Sequence, residues 1–249
     1  MIMHLFDNVS IESYGSVLIE GTILGNACSN INISARDNIF IDGTIMAGNG
    51  LDGRFAVGED INSNYVANGS GGGSVKLSAK NKIIILENAV IESGNGGNGS
   101  KSTRFIEREQ HINRSKEVQY IAGKGGNGGS IVLDASEVVV DKNARIYIGN
   151  GGNGGDTIVY MPSIKFGKDC IIGIAVGGDG GNSGTISVFG SISSWNFKIE
   201  GGNGGNGGNA TVTAGNGDDG ESVNATGIDG QDNQDGSGGN GEDTIEHYD

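Results

Sequence analysis

Two nine-residue segments place an aspartate where it could bind calcium. The first runs from Gly151 to Val159 and holds Asp156, and the second runs from Gly238 to Glu246 and holds Asp243. Both follow the pattern G-G-x-G-x-D-x-U-x, which binds calcium in β-helical repeats. The two matches are not in tandem, although each such site needs adjacent repeats. Calcium is therefore the one cofactor that the sequence suggests, with Asp156 and Asp243 as candidate ligands.

The other residue types that carry chemistry are dispersed. The three histidines and two cysteines are too far apart in the chain to suggest a nucleophile with its base or a zinc site. A polysaccharide lyase or hydrolase would need paired carboxylates on one face. The predicted outward carboxylates do not gather in one ladder: Asp42, Glu87, Asp134, Asp141 and Glu200. We expect no enzyme, with a carbohydrate-active protein as the alternative.

One segment concentrates basic residues. Residues 101–121 read KSTRFIEREQHINRSKEVQYI and hold five of the chain's 16 Lys and Arg. The segment predicts either a projecting contact loop, with a short helix over 104–116, or a solvated loop that pads the neighbouring chain. The candidate contact residues are Arg104, Arg108, His111 and Arg114.

The composition narrows the class of protein. Glycine accounts for 49 of 249 residues, about three times its usual share. Pro162 is the only proline, which excludes collagen. The patterned 35% of hydrophobic residues disfavours general disorder. A net charge of −14 argues against nucleic acid and anionic membranes as partners, and no apolar run is long enough for membrane insertion.

The elements that must position these residues are short repeated strands. Val17, Ile19 and Ile23 recur as Ile39, Ile41 and Ile45, at an offset of 22 residues. Apolar residues at every second position predict strands with one buried face. One such unit cannot bury that face alone, whereas stacked units can. The sequence therefore predicts an all-β fold, a parallel, right-handed β-helix of about six coils.

The inward positions should form ladders along the stack. One of the predicted coils runs from Ile158 to Ile174, before the tract Gly177–Gly184. Small residues before the second ladder indicate a tight corner: Gly21, Gly43, Ala89, Ala144 and Cys170. The two predicted ladders are Ile19, Ile41, Ile85, Val140 and Phe166, and Ile23, Ile45, Ile91, Ile146 and Ile172.

Glycine-asparagine tracts follow the strands and repeat every three residues, as GNGGNG from Gly94 and GGNGGNGG from Gly201. Three is the period of polyproline II and polyglycine II helices. We expect these tracts to lie side by side as an ordered sheaf of arms, because stacked coils bring them into register. Asparagine suits the sheaf, since its side chain can bond stray backbone groups.

These features together carry a resemblance. GGNGGNGG and the strand SIVLDASEVVV from Ser130 resemble glycine-rich β-helical segments of bacterial and phage surface proteins. The tracts alone are similar to the polyglycine II bundles of phage tail-fibre tip adhesins and springtail antifreeze proteins. The chain departs from the antifreeze pattern by its large apolar core and its lack of disulfide pairs. The resemblance implies a structural or adhesive role.

The predicted organisation is a β-solenoid over residues 1–214, with insertions at 51–70 and 101–121, and an acidic tail over 215–249. From Asp218 to Asp249 there are ten acidic residues and no Lys or Arg, which predicts a flexible tail. The N-terminus lacks the features of a signal peptide. A surface, a virion or an extracellular site reached by another route is favoured over the cytoplasm.

The favoured function is a non-enzymatic structural or adhesive module that is displayed on a surface, fibre or particle. Its expected partners are itself, a surface or fibre protein, or glycans. Three alternatives stay open: a carbohydrate-binding or carbohydrate-active β-helix, an RTX-like calcium-dependent secreted module, and an ice-binding protein.

Overall fold

A computed structural model describes residues 2–3, 8–54, 66–105, 118–161, 173–193, 198–214, 225–228 and 245–248. These residues form an all-β structure in which every paired strand runs parallel to its neighbour. The described residues contain no helix that is long and apolar enough to span a membrane. The predicted all-β, parallel and solenoid-like class is therefore confirmed.

Twenty-one strands are present in the described residues. Their bounds are β1 Ile2–Met3, β2 Val9–Ser13, β3 Val17–Ile19, β4 Thr22–Leu24, β5 Ile31–Ala35, β6 Asn38–Ile41, β7 Thr44–Met46, β8 Val75–Ala79, β9 Lys82–Ile85, β10 Val90–Glu92, β11 Ser102–Phe105, β12 Val118–Ile121, β13 Ile131–Val140, β14 Arg145–Ile148, β15 Thr157–Met161, β16 Gly173–Val176, β17 Ile186–Ile192, β18 Lys198–Gly201, β19 Ala210–Ala214, β20 Ala225–Ile228 and β21 Ile245–Tyr248.

Three stacks of strands surround the apolar core. The first stack is β2, β5, β8, the first halves of β13 and β17, and β21; the second is β3, β6, β9 and the second halves of β13 and β17; and the third is β1, β4, β7, β10, β14 and β18. Each pass of the chain contributes one strand to each stack, so the stacks grow in the same direction.

The registers confirm most of the two predicted ladders. Ile19 pairs with Ile41, which pairs with Ile85, which pairs with Val140. Ile23, Ile45, Ile91 and Ile146 align in the third stack in the same way. These side chains are buried because strand side chains alternate between the two faces of the sheet.

The ladders continue differently from the prediction. Ile146 pairs with Ile199, so the predicted next member, Ile172, is wrong. The coil predicted from Ile158 to Ile174 is also wrong, because β15 and β16 pair with strands outside the three stacks. Its alternating apolar residues fit any half-buried strand, so the pattern alone did not reveal which sheet they join. Phe166, Cys170 and Ile172 themselves lie outside the described residues.

The corner before the third stack accepts only small side chains. A Cβ added at Gly43 would collide with the carbonyl oxygen of Gly21 one pass earlier. Ala89 and Ala144 occupy the same corner in later passes and are almost fully buried. The predicted tight corner is confirmed at these positions, because the turn brings successive backbones too close for a larger residue.

After the third stack the chain leaves the core and later returns to it. Four outgoing tracts cover residues 48–53, 94–101, 149–156 and 202–209, and three returning tracts cover residues 67–73, 123–129 and 178–184. The seven tracts together form what we call the glycine sheaf. Gly94 donates to Gly73, Gly97 donates to Ser70, and Gly126 donates to Gly97. The prediction of ordered arms holds here, but the tracts come in outgoing and returning pairs.

Beyond the sheaf, the arms end in two three-stranded parallel sheets. Strands β11, β15 and β19 follow outgoing tracts, β12 and β16 precede returning tracts, and β20 pairs with β16. The helix predicted from Arg104 is wrong at its start, because Arg104 lies in β11 and pairs with Val159. Within the predicted tail, β20 pairs with β16 and β21 pairs with β17.

Candidate interaction surface on the glycine sheaf

The outgoing tract 94–101 illustrates how the sheaf is built. Along its inner side, Gly94, Gly97 and Ser100 donate to the returning tract 67–73. Gly96 and Gly99 donate to the next outgoing tract, at the carbonyls of Asn150 and Asn153. The bonds therefore recur every third residue, which is the period of a polyproline II helix. Each tract of the interior is bonded to tracts on several sides.

Glycine fills two of every three positions through most of the sheaf interior, with Ser70 and Ser100 among the exceptions. A Cβ at Gly97 would collide with the carbonyl oxygen of Leu51, and a Cβ at Gly96 would collide with that of Gly126. Leu51 occupies the position of Gly97 in the first tract, and its side chain is 57% exposed. A side chain fits there because no earlier outgoing tract lies against it within the described residues.

The third position of each triplet points outward and is usually asparagine. The Oδ1 atom of Asn95 accepts the backbone N–H of Asn150 at 2.8 Å. The N–H of Gly96 donates to the carbonyl of the same Asn150 at 2.7 Å. The asparagine side chain and the glycine N–H of one Asn–Gly pair thus bond the backbone N–H and the backbone carbonyl of one residue in the next tract. We call this pair of hydrogen bonds the Asn–Gly clamp. The clamp satisfies backbone groups that would otherwise face water.

The outward residues of the outgoing tracts form one regular surface, the outgoing face. No hydrogen bond joins the Nδ2 atoms of its asparagines to other described residues, and these asparagines are exposed except Asn95 and Asn150, which are half-buried. Three residues along such a tract span about 9 Å. The face comprises Asn49, Asp52, Asn95, Asn98, Lys101, Asn150, Asn153, Asp156, Asn203, Asn206 and Asn209.

The opposite, returning face is less regular. Its outward positions hold Asn68, Gly71, Lys124, Asn127 and Asp179 with Asn182. The ammonium of Lys124 lies 2.6 Å from the carboxylate of Asp179 in the next tract. The two faces therefore differ in regularity, since asparagines fill most outward positions of the outgoing face, whose charged residues are Asp52, Lys101 and Asp156, whereas the returning face has fewer asparagines.

Asp156, the candidate calcium ligand, closes the third outgoing tract on the outgoing face. Its Oδ1 accepts the backbone N–H of Asn209 at 3.1 Å, and its Oδ2 lies 3.2 Å from the ammonium of Lys101. The hydrogen bond from Asn209, and then Lys101, hold the pKa of Asp156 below its usual value. No group of three or more potential metal-ligating side chains lies around it or elsewhere in the described residues. Calcium binding by Asp156 stays a prediction.

Of the remaining predicted site residues, the structure describes only Arg104. Arg104 lies in β11 at the far end of the sheaf. Arg108, His111, Arg114 and Asp243 lie outside the described residues. The structure therefore leaves the predicted contact loop untested.

An open groove of about 790 Å³ lies on the outer side of the third stack. Glu87 and Glu200 line it with Lys142, Arg145 and Tyr147. Arg145 and Tyr147 lie in β14 and Glu200 lies in β18, whereas Glu87 and Lys142 lie in the turns before the third stack. Glu87 and Glu200 are 113 residues apart in the chain, and they line one groove because successive passes stack.

The outgoing face was not identified as a site from the sequence. The signal that could have found it is the position of asparagine within each glycine triplet, once every third residue. That spacing fixes which residues share a side of a tract. It does not fix which tract becomes the neighbour, and the neighbour decides whether the amides form an array.

Comparisons with known proteins add little. No protein family and no curated protein matches the chain. One solved structure, the nine polyproline type II helical bundle antifreeze protein of the springtail Granisotoma rainieri, aligns over 73% of this chain and 94% of its own, with 19% identity and a TM-score of 0.21. A likeness at that TM-score supports no conclusion about fold or function.

Proposed function

We propose that this chain is a non-enzymatic structural or adhesive module, a right-handed β-helix of about six coils that presents the outgoing face on a surface, fibre or particle. The observation that carries the proposal is the double stacking of the same passes. Burial of the apolar ladders stacks the passes on one side of the molecule, and backbone hydrogen bonds between the glycine tracts stack them on the other. Such a body is rigid and repetitive, as a display scaffold requires.

The first pass of the stack is the proposed self-association surface. The three most exposed large apolar side chains of the described residues lie in the first pass and the first tract: Tyr14 at 88%, Leu51 at 57% and Leu18 at 56%. Apolar side chains beside open strand edges favour contact with another polypeptide. A second copy of the chain is one proposed partner, and a surface or fibre protein is the other.

Size-exclusion chromatography with light scattering and negative-stain microscopy tests this proposal. We expect a fixed oligomer or filaments, and we expect the double variant Tyr14→Ser and Leu18→Ser to dissociate them. A matched control is Phe189→Ser, which removes an exposed aromatic from a later pass. A monomer in every sample, together with no binding to surface extracts, would contradict the structural reading and favour a ligand-binding one.

Glycans are the proposed ligands in an adhesive role. The groove beside Tyr147 and the outgoing face are the two surfaces with suitable hydrogen-bonding groups. A glycan array with Tyr147→Ala and Asn98→Ala separates them, because each variant alters one surface only. Turnover of a bound glycan would contradict the proposal that the protein is not an enzyme.

Calcium would act through Asp156 and Asp243 if the RTX-like alternative holds. Thermal unfolding with added calcium and with chelator tests it. A calcium-dependent rise in Tm that disappears in Asp156→Asn would support that alternative over a metal-independent scaffold. The same Tm with calcium and with chelator would exclude the calcium-dependent alternative.

Ice binding is a second candidate function, favoured by the regular amide spacing of the outgoing face. The amides of Asn95, Asn98, Asn150 and Asn153 are anchored through Oδ1 and leave Nδ2 free. A fixed array of donors can order water in a repeating pattern. Thermal hysteresis measured on the folded protein tests it, and a value equal to that of a plain buffer would exclude it.

A further inference from the structure

Eleven Asn–Gly pairs occur in the chain, and this dipeptide is chemically labile. The backbone nitrogen of the glycine attacks Cγ of the asparagine, the bond from Cγ to Nδ2 breaks, and ammonia leaves. Water then opens the resulting succinimide ring to aspartate or isoaspartate. The net change is the gain of one water and the loss of one ammonia, so no other reagent is required. Glycine favours the attack because it has no side chain to shield its nitrogen.

Seven of these pairs are held by the Asn–Gly clamp. In each one the asparagine Oδ1 accepts an N–H from the next tract, and the glycine N–H donates to the carbonyl of the same residue there. The seven pairs are Asn49–Gly50, Asn68–Gly69, Asn95–Gly96, Asn98–Gly99, Asn127–Gly128, Asn150–Gly151 and Asn153–Gly154.

The clamp restrains both reacting groups, the asparagine side chain that carries Cγ and the backbone nitrogen of the glycine. For attack, the asparagine side chain must rotate until Cγ meets the glycine nitrogen. At Asn150 that rotation breaks the 2.8 Å bond from the N–H of Asn203 to Oδ1. At Gly151 it displaces the N–H that donates to the carbonyl of Asn203 at 2.8 Å. The bonds that stack the tracts therefore also hold the reacting atoms apart.

Asn203–Gly204 lies in the last outgoing tract and lacks the clamp. The backbone N–H of Asn203 donates to Oδ1 of Asn150, and its carbonyl accepts the N–H of Gly151, so both groups belong to the clamp of the preceding tract. Its own Oδ1 and the N–H of Gly204 bond to no other described residue, and its side chain is exposed. Asn206–Gly207 in the same tract differs, because Gly207 has a further interaction.

We propose that Asn203 is a deamidation site of the folded protein and that the glycine sheaf protects its seven clamped Asn–Gly pairs from the same reaction. Isoaspartate at this position would lengthen the backbone by one methylene group and add a negative charge. Both changes would fall on the last outgoing tract, while the clamped asparagines of the earlier tracts would remain amides in register. The inference goes beyond the proposed scaffold role and does not depend on any partner.

Peptide mapping by mass spectrometry tests the proposal on the full chain after incubation in mildly alkaline buffer. We expect Asn203 to convert at least severalfold faster than Asn150 or Asn153 in the folded protein, and all three to convert at similar rates in denaturant. Conversion of Asn150 as fast as Asn203 in the folded protein would overturn the proposal.

A matched pair of proline variants tests the clamp itself. Asn203→Pro removes the N–H that holds Oδ1 of Asn150, and proline suits the extended tract because its φ is close to that of polyproline II. We expect deamidation to rise at Asn150 but not at Asn153. Asn206→Pro should give the reverse, since Asn206 holds Asn153.

Circular dichroism verifies that both proline variants fold. If both fold and neither site accelerates, the clamp is not the source of protection and the proposal fails. If a variant loses its fold, all sites should accelerate together, and the comparison of folded with denatured wild-type protein then decides.

Discussion

The apolar core and the glycine sheaf stack the same passes of one chain by different means. In the core, Ile45, Ile91 and Ile146 are completely buried, and their side chains fill the space between strands. In the sheaf, Gly97 and its equivalents in the later outgoing tracts, Gly152 and Gly205, have no side chain, and backbone hydrogen bonds join the tracts directly. The core is stabilised by removing apolar surface from water, and the sheaf by satisfying nearly every backbone group in extended chains.

This difference makes opposite demands on side-chain volume. A core position loses stability when its side chain becomes smaller, because a cavity remains. A sheaf position loses stability when its side chain becomes larger, because the adjacent backbone cannot move away. The two regions depend on each other, since glycine tracts pay the largest entropic cost on ordering and the stacked strands bring them into register.

The largest effect is expected from a truncation in the core. Ile91→Ala removes a fully buried side chain of β10 and should lower the free energy of unfolding by about 2–5 kcal/mol. Val90→Ala in the same strand is the control, because Val90 points outward and should cost less than about 1 kcal/mol. Urea unfolding monitored by circular dichroism measures both. Equal losses would show that the core does not carry the stack.

A methyl group added to the sheaf should have the next largest effect. A Cβ at Gly72 would collide with the backbone of Gly94, so Gly72→Ala should cost about 1–3 kcal/mol or more. At the adjacent Gly71 the nearest atom would be the carbonyl oxygen of Asn127 at 3.5 Å. Gly71→Ala should therefore be neutral or stabilising by up to about 1 kcal/mol. Thermal unfolding of the pair is decisive, and similar Tm values would mean that the tracts are not packed as described.

The outward asparagines should contribute less to stability than the apolar core or the interior of the glycine sheaf. Asn95→Ala removes the acceptor for the N–H of Asn150 and should cost about 0.5–1.5 kcal/mol. Asn95→Asp keeps an Oδ1 acceptor, as Asp52 does for Asn98 at 2.6 Å, and should recover most of that loss. Hydrogen exchange at the backbone N–H of Asn150 reports its hydrogen bond to residue 95 directly. Equal protection in both variants would argue against the clamp.

The smallest effect is expected from the ion pair on the outgoing face. Asp156→Asn keeps the acceptor for Asn209 but removes the charge that faces Lys101, and should cost no more than about 1 kcal/mol at neutral pH. Because folding lowers the pKa of Asp156, its carboxylate stabilises the fold above its ordinary pKa of about 4. That contribution is lost as the pH falls through the lower folded value.

Unfolding measured from neutral to acidic pH tests this expectation. The stability gap between wild type and Asp156→Asn should close as the pH falls through the lowered pKa of Asp156, where the carboxylate of the folded protein becomes protonated. A gap that persists in acid would mean that the asparagine variant is destabilised by packing rather than by charge.

Much of the fold could be predicted from the sequence, and the errors are instructive. The 22-residue offset between Ile19 and Ile41 identified the ladders and the parallel stack. The same alternation at Ile158 and Ile174 led to the prediction of a further coil, whereas β15 and β16 pair within two separate sheets. A period of two identifies the buried face of a strand but not the sheet that the strand joins. The returning tracts at 67–73 and 123–129 were not recognised as partners of the outgoing ones. The outgoing face depended on that pairing and could not be predicted.

The sequence by itself determined which residues face inward, since alternation in strands and the glycine triplet in tracts are local periodicities of the backbone. It also determined where only glycine would be tolerated, by repeating it at two positions of three. Only the tertiary structure decided which tract lies beside which, because arms of different length still return to the same stack. That arrangement sets Asn150 against both Asn95 and Asn203, and so decides which amides are clamped and which remain open.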